Sequence, residues 1–300
     1  MKKVLLILKK IFSIISKIVV KNNAKAKCWI CGASADSAEH RIKKSDMVRA
    51  YGRGPYKGDS APVHVRNGVE TPIQGPGSDL IKYQKFLCHK CNTTETQPYD
   101  EAYDQLVSWL QVNEAEVLNK RVVNFFDVYG DNFEEKQRNL FKYFVKSFGC
   151  RLVDAVHNVP KDLIDLLPKQ SFRTALKISF CVNEDILLLP EKSQFVGKGN
   201  LIALPAKSNQ SIVNGYIWHE NYSWFTVNYW YKTSPQSGLG STWIADAQHV
   251  YLGSLSPLSE QQHNEFTEGS LRRADLIEGS SLHYKHFNFL RFGELLRKPP

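Results

Sequence analysis

The 300-residue chain lacks an uninterrupted apolar run of the length, about 18 residues or more, that a membrane-crossing helix requires. Its nearest approach, residues 4–20 (VLLILKKIFSIISKIVV), is broken by Lys9, Lys10 and Lys17, and no convincing small-x-small cleavage site follows, which disfavours a secretory signal. Also missing are an internal repeat, a low-complexity linker and a phosphate-cradling glycine motif, since GRG and GKG are too short to count. Cysteine is sparse: six residues, four of them in two Cys-x-x-Cys pairs, a spacing foreign to secreted disulfide frameworks and suited to a reducing cytoplasm. Acidic residues are outnumbered, 30 Asp and Glu against 39 Lys and Arg, so the net charge is +9 and a polyanionic partner is favoured.

What is present is enough to fold. Hydrophobic residues make up 42% and aromatics 12%, which argues against wholesale disorder. The positive charge concentrates in the first ninety residues, whereas the segment from Tyr99 to Glu135 is acidic. Lys3, Lys10 and Lys17 recur every seven residues, so residues 1–25 read as a basic amphipathic helix. Such a helix, through residues 4–20, suits either a membrane surface or a docked partner helix, including that of a sister chain in a homodimer.

Cys28-x-x-Cys31 and Cys88-x-x-Cys91 can each fold as a knuckle that aims two thiolates at one tetrahedral zinc ion, and four sulfurs make a closed structural site. The alternatives are two unrelated reduced pairs or a redox motif, but a redox motif needs one pair and a βαβ setting that is absent here. The 56 residues between the pairs must hold inserted structure, and His40 lies among them. Cys150 and Cys181 stand in apolar surroundings and read as buried small hydrophobes.

In order, the chain reads C28-W-I-C31-G, then E39-H40-R-I, then L-C88-H-K-C91-N92, then T-Q-P-Y-D100. From Cys28 to Asp104 this order resembles the HNH endonucleases of the His-Me finger class. The resemblance implies a ββα-metal module in which His40 takes a proton from the water attacking a phosphodiester. By the same resemblance Glu39 would bind a catalytic Mg²⁺ or Mn²⁺, and Asn92 would orient the site or hold its hairpin. The final histidine of the motif is absent, none following Asn92 before His157, and Asp100 is expected to replace it as an oxygen ligand. Asp100 and Asp104 also fit a plainer role, as first-turn acids of a helix beginning at Pro98. Arg41, Lys43, Lys44, Arg49 and Arg53 crowd after His40 and suit phosphate contacts with double-stranded DNA. The alternative is a non-catalytic zinc-binding nucleic-acid or protein adaptor.

The expected fold class is α+β: the stapled N-terminal module over residues 26–112, then residues 113–300, helical to 176 and antiparallel β-rich from 177. Between the cysteine pairs, a Gly- and Pro-rich text reads as loop with a few short strands. YDEAYDQLVSWL (99–110) has a helical face of Tyr99, Ala102, Tyr103, Leu106, Trp109 and Leu110, a second long helix follows over residues 132–156, and PKDLIDLLP gives a short third. The runs ALKISFCV, DILLLP, NLIALPA, SIVNGYIW, YSWFTVNYWY and QHVYLGSL read as strands, with the aromatics from Trp218 to Tyr231 as sheet core.

Overall fold

The computed structural model describes residues 26–58, 61–66, 69–168, 173–189, 192–206, 208–256, 259, 261 and 292–297. The amphipathic stretch expected over residues 1–25 lies outside them. Among the described residues, no helix is long and apolar enough to cross a membrane.

The chain runs through strand β1 (Ser37–His40), helix α1 (Lys44–Tyr51), the hairpin β2 (Val63–Arg66) and β3 (Val69–Pro72), and strand β4 (Lys82–Leu87). A π-helical turn over Lys90–Thr94 leads into α2 (Gln97–Val112), followed by α3 (Glu114–Lys120), β5 (Val122–Asn124), α4 (Phe125–Tyr129), α5 (Phe133–Asp154) and α6 (Lys161–Leu166). Then come β6 (Leu176–Asn183), α7 (Glu184–Leu187), β7 (Val196–Gly199), β8 (Ile202–Ala206), β9 (Asn209–Tyr222), β10 (Phe225–Tyr231), β11 (His249–Tyr251), β12 (Gly253–Leu255) and β13 (Phe292–Arg297). This is an α+β protein with mainly antiparallel sheets, as expected. The main sheet has the order β12-β6-β10-β9-β7-β13-β2-β3 with β8 on β9, and among the described residues its one parallel pair is β12 on β6.

Helix α2 begins with Pro98 in its first turn, where a missing N–H costs nothing, and buries Tyr99, Ala102, Tyr103, Leu106 and Leu110 as its periodicity foretells, with Val107 buried in addition and Trp109 only half-buried. Helix α5 is largely open over its first two turns and buried almost all round from Leu140 to Leu152, where Phe141, Phe144, Phe148 and Leu152 are inaccessible. It packs against α2 on one side, and on the other its rings meet those of β6, β9 and β10. Phe148 stacks on Trp218 and Tyr229, and Phe144 meets Phe180 and Trp243. Each such ring contributes about 1.5–3 kcal/mol by leaving water. All seven residues of β10 are buried, because α5 covers one face while Trp230, Cys181, Leu239 and Leu255 pack on the other. The clustered aromatics are therefore core.

Two local readings are corrected. DILLLP is no strand: the Asn183 side chain accepts the Ile186 N–H at 3.2 Å, capping the single helical turn α7 with Glu184 and Asp185 at its start. The polar stretch between the cysteine pairs holds, besides strands, the helix α1, which buries Met47. That stretch also feeds β2 and β3 into the main sheet through β13, whose backbone pairs with both β2 and β7. One apolar cluster runs from Ile42 through Phe148 to Leu252, so residues on both sides of position 112 share a core.

Gly149 of α5 faces the Trp29 ring so closely that an added Cβ would lie 2.5 Å from Cζ2 and Cη2. Gly149→Ala should therefore destabilise the protein by about 1–3 kcal/mol in urea titration, as overpacking does. An unchanged midpoint would mean that Trp29 is free to leave its seat.

Candidate functional site

The first knuckle is a tight turn. Ala33 C=O accepts the Cys28 N–H at 2.7 Å, Cys28 C=O accepts the Gly32 N–H at 2.8 Å, and Gly32 has φ +75°, a conformation open to glycine. Phe86 C=O accepts the Trp29 N–H at 3.1 Å, which ties this turn to β4. The second pair closes where β4 gives way to the π-helical turn, with Cys88 C=O accepting the Asn92 N–H at 3.0 Å. The ligand atoms of Cys28, Cys31, Cys88 and Cys91 all lie within 4.8 Å of one another, and the Sγ atoms of Cys31 and Cys88 are 3.6 Å apart. Tetrahedral zinc with Zn–S near 2.3 Å wants sulfurs about 3.8 Å apart, so the four can hold a metal ion such as zinc. Burial pushes the Cys28 and Cys91 thiols up, so a cation is what allows this group to be thiolate together. Cys150 and Cys181 stand apart as buried thiols, each pushed up to about 12 by burial.

Strand β1 pairs antiparallel with β4, Ser37 opposite Leu87 and His40 opposite Lys82. The Asn92 side chain reaches back from the helical turn: its Nδ2 donates to Ser37 Oγ at 2.9 Å and to Ala38 C=O at 3.5 Å. The cysteine cluster thus holds the turn, and the turn holds β1. His40 ends that strand at the wall of an open cleft of about 720 Å³ that Glu39, Asn92 and Asp100 also line. Its Nε2 is buried and has no hydrogen-bond partner. Burial lowers the imidazole's pKa, Glu39 opposes this, and Lys82, Lys44 and Lys43 add to it, so the ring is neutral at pH 7.

The two carboxylates expected to hold a catalytic cation face a lysine instead. Lys146, buried in α5, brings its Nζ to 2.9 Å from Glu39 Oε2 and 3.0 Å from Asp100 Oδ2. Asp100 Oδ1 accepts from Lys43 Nζ at 2.9 Å. Burial alone would raise the Asp100 carboxyl, but the ammonium groups of Lys146 and Lys43 hold it below the usual range. The lysine stays charged: burial opposes the charge, and Glu39 and Asp100 override it.

Lys43, Arg49 and Asp104 line the same cleft. Arg49 bonds Asp104 Oδ1 at 2.8 Å and Asp46 Oδ1 at 2.9 Å, and burial pushes Asp46 up only to about 6, against the pull of Arg49 and Lys43, so it is ionised at neutral pH. Lys43, Lys44, Arg49 and Lys146 therefore balance Glu39, Asp46, Asp100 and Asp104 one for one. As ligands for Mg²⁺ or Mn²⁺, Glu39 and Asp100 do not fit.

The basic residues divide. Lys44 and Arg53 are exposed, and Lys43 and Arg49 are engaged with carboxylates at the cleft. Arg41 is corrected outright: its guanidinium is bidentate to Asp154 at 2.8 and 3.0 Å, stacks over Tyr83 and is out of reach of a phosphate. Residue order alone missed Lys146, Asp46 and Asp154. For Lys146 and Asp154 the available signal was polar residues inside the otherwise apolar text of α5 (FKYFVKSFGCRLVD). No family model, curated protein or solved structure matches this chain.

Purified protein should contain one tightly held zinc per chain by elemental analysis, and Cys88→Ser should lose both the zinc and thermal stability. Zinc-free, folded protein with four titratable thiols would remove the metal from the scaffold.

Proposed function

We propose that the cleft hydrolyses phosphodiester bonds in DNA, on an HNH-type ββα frame made of β1, β4 and the helical turn entering α2, with structural zinc on the four cysteines. The carrying observation is His40: an imidazole that lines the cleft beside exposed Lys44 and whose pKa is lowered by burial. A neutral imidazole can accept the proton of a water whose oxygen attacks phosphorus, while the ester P–O bond breaks and the departing oxygen takes up a proton from solvent. Lys44, exposed and lining the same cleft, is the group that answers the added negative charge on the phosphate. Asn92 is a positioning residue, keeping β1 and hence His40 in place through Ser37 and Ala38. No step is assigned to a divalent ion on Glu39 and Asp100.

One observation favours a second reading. An ammonium already bridging the two carboxylates suits a non-catalytic zinc-stapled adaptor that binds nucleic acid or protein without cutting.

A plasmid-nicking assay separates the two. The wild type should nick supercoiled DNA, and His40→Ala should slow nicking by about a hundredfold or more with zinc content and DNA affinity unchanged. Because the pKa of His40 is lowered, its basic form persists to lower pH, so the rising limb of the pH–rate profile should fall below the ordinary histidine value of about 6.5. Full activity in His40→Ala would end the mechanism, and DNA binding without nicking by wild type would favour the adaptor.

A further inference from the structure

We infer that Lys146 is the cleft's built-in cation: it occupies the position between Glu39 and Asp100 where a divalent ion would bridge them, so these carboxylates bind no Mg²⁺ or Mn²⁺ while Lys146 is present. Its part in catalysis rests on the proposed nuclease reading, whereas the metal-binding consequence stands without it.

Three observations converge. The ammonium touches one oxygen of each carboxylate at hydrogen-bond length, 2.9 Å to Glu39 and 3.0 Å to Asp100. The lysine side chain is 2% exposed, on a helix packed on most sides, so no solvent waits to receive the charge if a metal displaced it. The other Asp100 oxygen is held by Lys43, so a metal approaching from the cleft would meet a second ammonium. A hard divalent ion gains by neutralising surplus carboxylate charge, and this cleft has none to neutralise. Lys146 thus acts as a positioning residue. It fixes the Glu39 carboxylate beside His40, supplies one unit of positive charge there, and lies too deep to contact substrate.

Mn²⁺ binding to zinc-loaded, full-length protein tests this, followed by the electron paramagnetic resonance signal of free Mn²⁺. Wild type and Glu39→Gln should give the same titration. Lys146→Met, which keeps the length of the side chain and drops the charge, should gain one Mn²⁺ site per chain, bound at least about tenfold more tightly than any wild-type site. Adding Glu39→Gln to Lys146→Met should remove that site again. A purely structural lysine would lower stability on substitution and create no metal site. One wild-type Mn²⁺ per chain that Glu39→Gln abolishes would overturn the inference, as would a folded Lys146→Met that gains none. If Lys146→Met does not fold, the comparison of wild type with Glu39→Gln decides alone. Protein that binds no Mn²⁺ at Glu39 and cuts no DNA upholds the built-in cation and removes the nuclease reading. Protein that cuts only with Mn²⁺ held on Glu39 does the reverse.

Discussion

A buried ammonium cannot be left without counter-charge, since an unpaired charge in the interior costs several kcal/mol, and this requirement organises the centre of the molecule. Lys146 meets it with Glu39 from β1 and Asp100 from α2, so one side chain of α5 draws together segments more than a hundred residues earlier and about fifty residues earlier in the chain. The same helix provides the other attachments. Asp154 near its end takes the Arg41 guanidinium, and Gly149 leaves space for Trp29 of the first knuckle. Helix α5 is therefore both the spine of the apolar core and the anchor of the polar site.

That arrangement separates two kinds of work. The cysteine cluster lies at the base of the β1–β4 pair, where a metal ion would hold structure and, with four thiolate ligands, would have no open position for chemistry. Its influence reaches the cleft mechanically, through the turn that carries Asn92 and the bonds from Asn92 to β1. The cleft itself is governed by electrostatics: cations and carboxylates are matched, and the neutral His40 stands out as a group able to accept a proton.

The segment inserted between the cysteine pairs extends the frame. Its hairpin β2–β3 becomes the edge of the main sheet beyond β13, and α1 buries Met47 in the shared core. Opening the stapled region would expose part of that core, so its stability is coupled to that of the rest of the chain.

By itself the sequence determined the elements whose signals are local. The Cys-x-x-Cys pairs need only short-range turn geometry to become knuckles, the face of α2 follows from 3.6-residue periodicity, and the alternating aromatic runs could find low energy only inside a sheet. The fold class and the ability of four cysteines to hold a metal were legible for that reason. Local text could mislead where one side chain tipped the balance, as Asn183 did by capping α7 out of a run that reads as a strand. Tertiary structure alone decided how charges were paired, because a carboxylate's role depends on which cation reaches it and that is set by packing over long separations. Asp100 reads equally well as a metal ligand or a helix-start acid until α5 brings Lys146 to within 3.0 Å of it. Arg41 reads as a phosphate contact until Asp154, 113 residues away, takes its guanidinium.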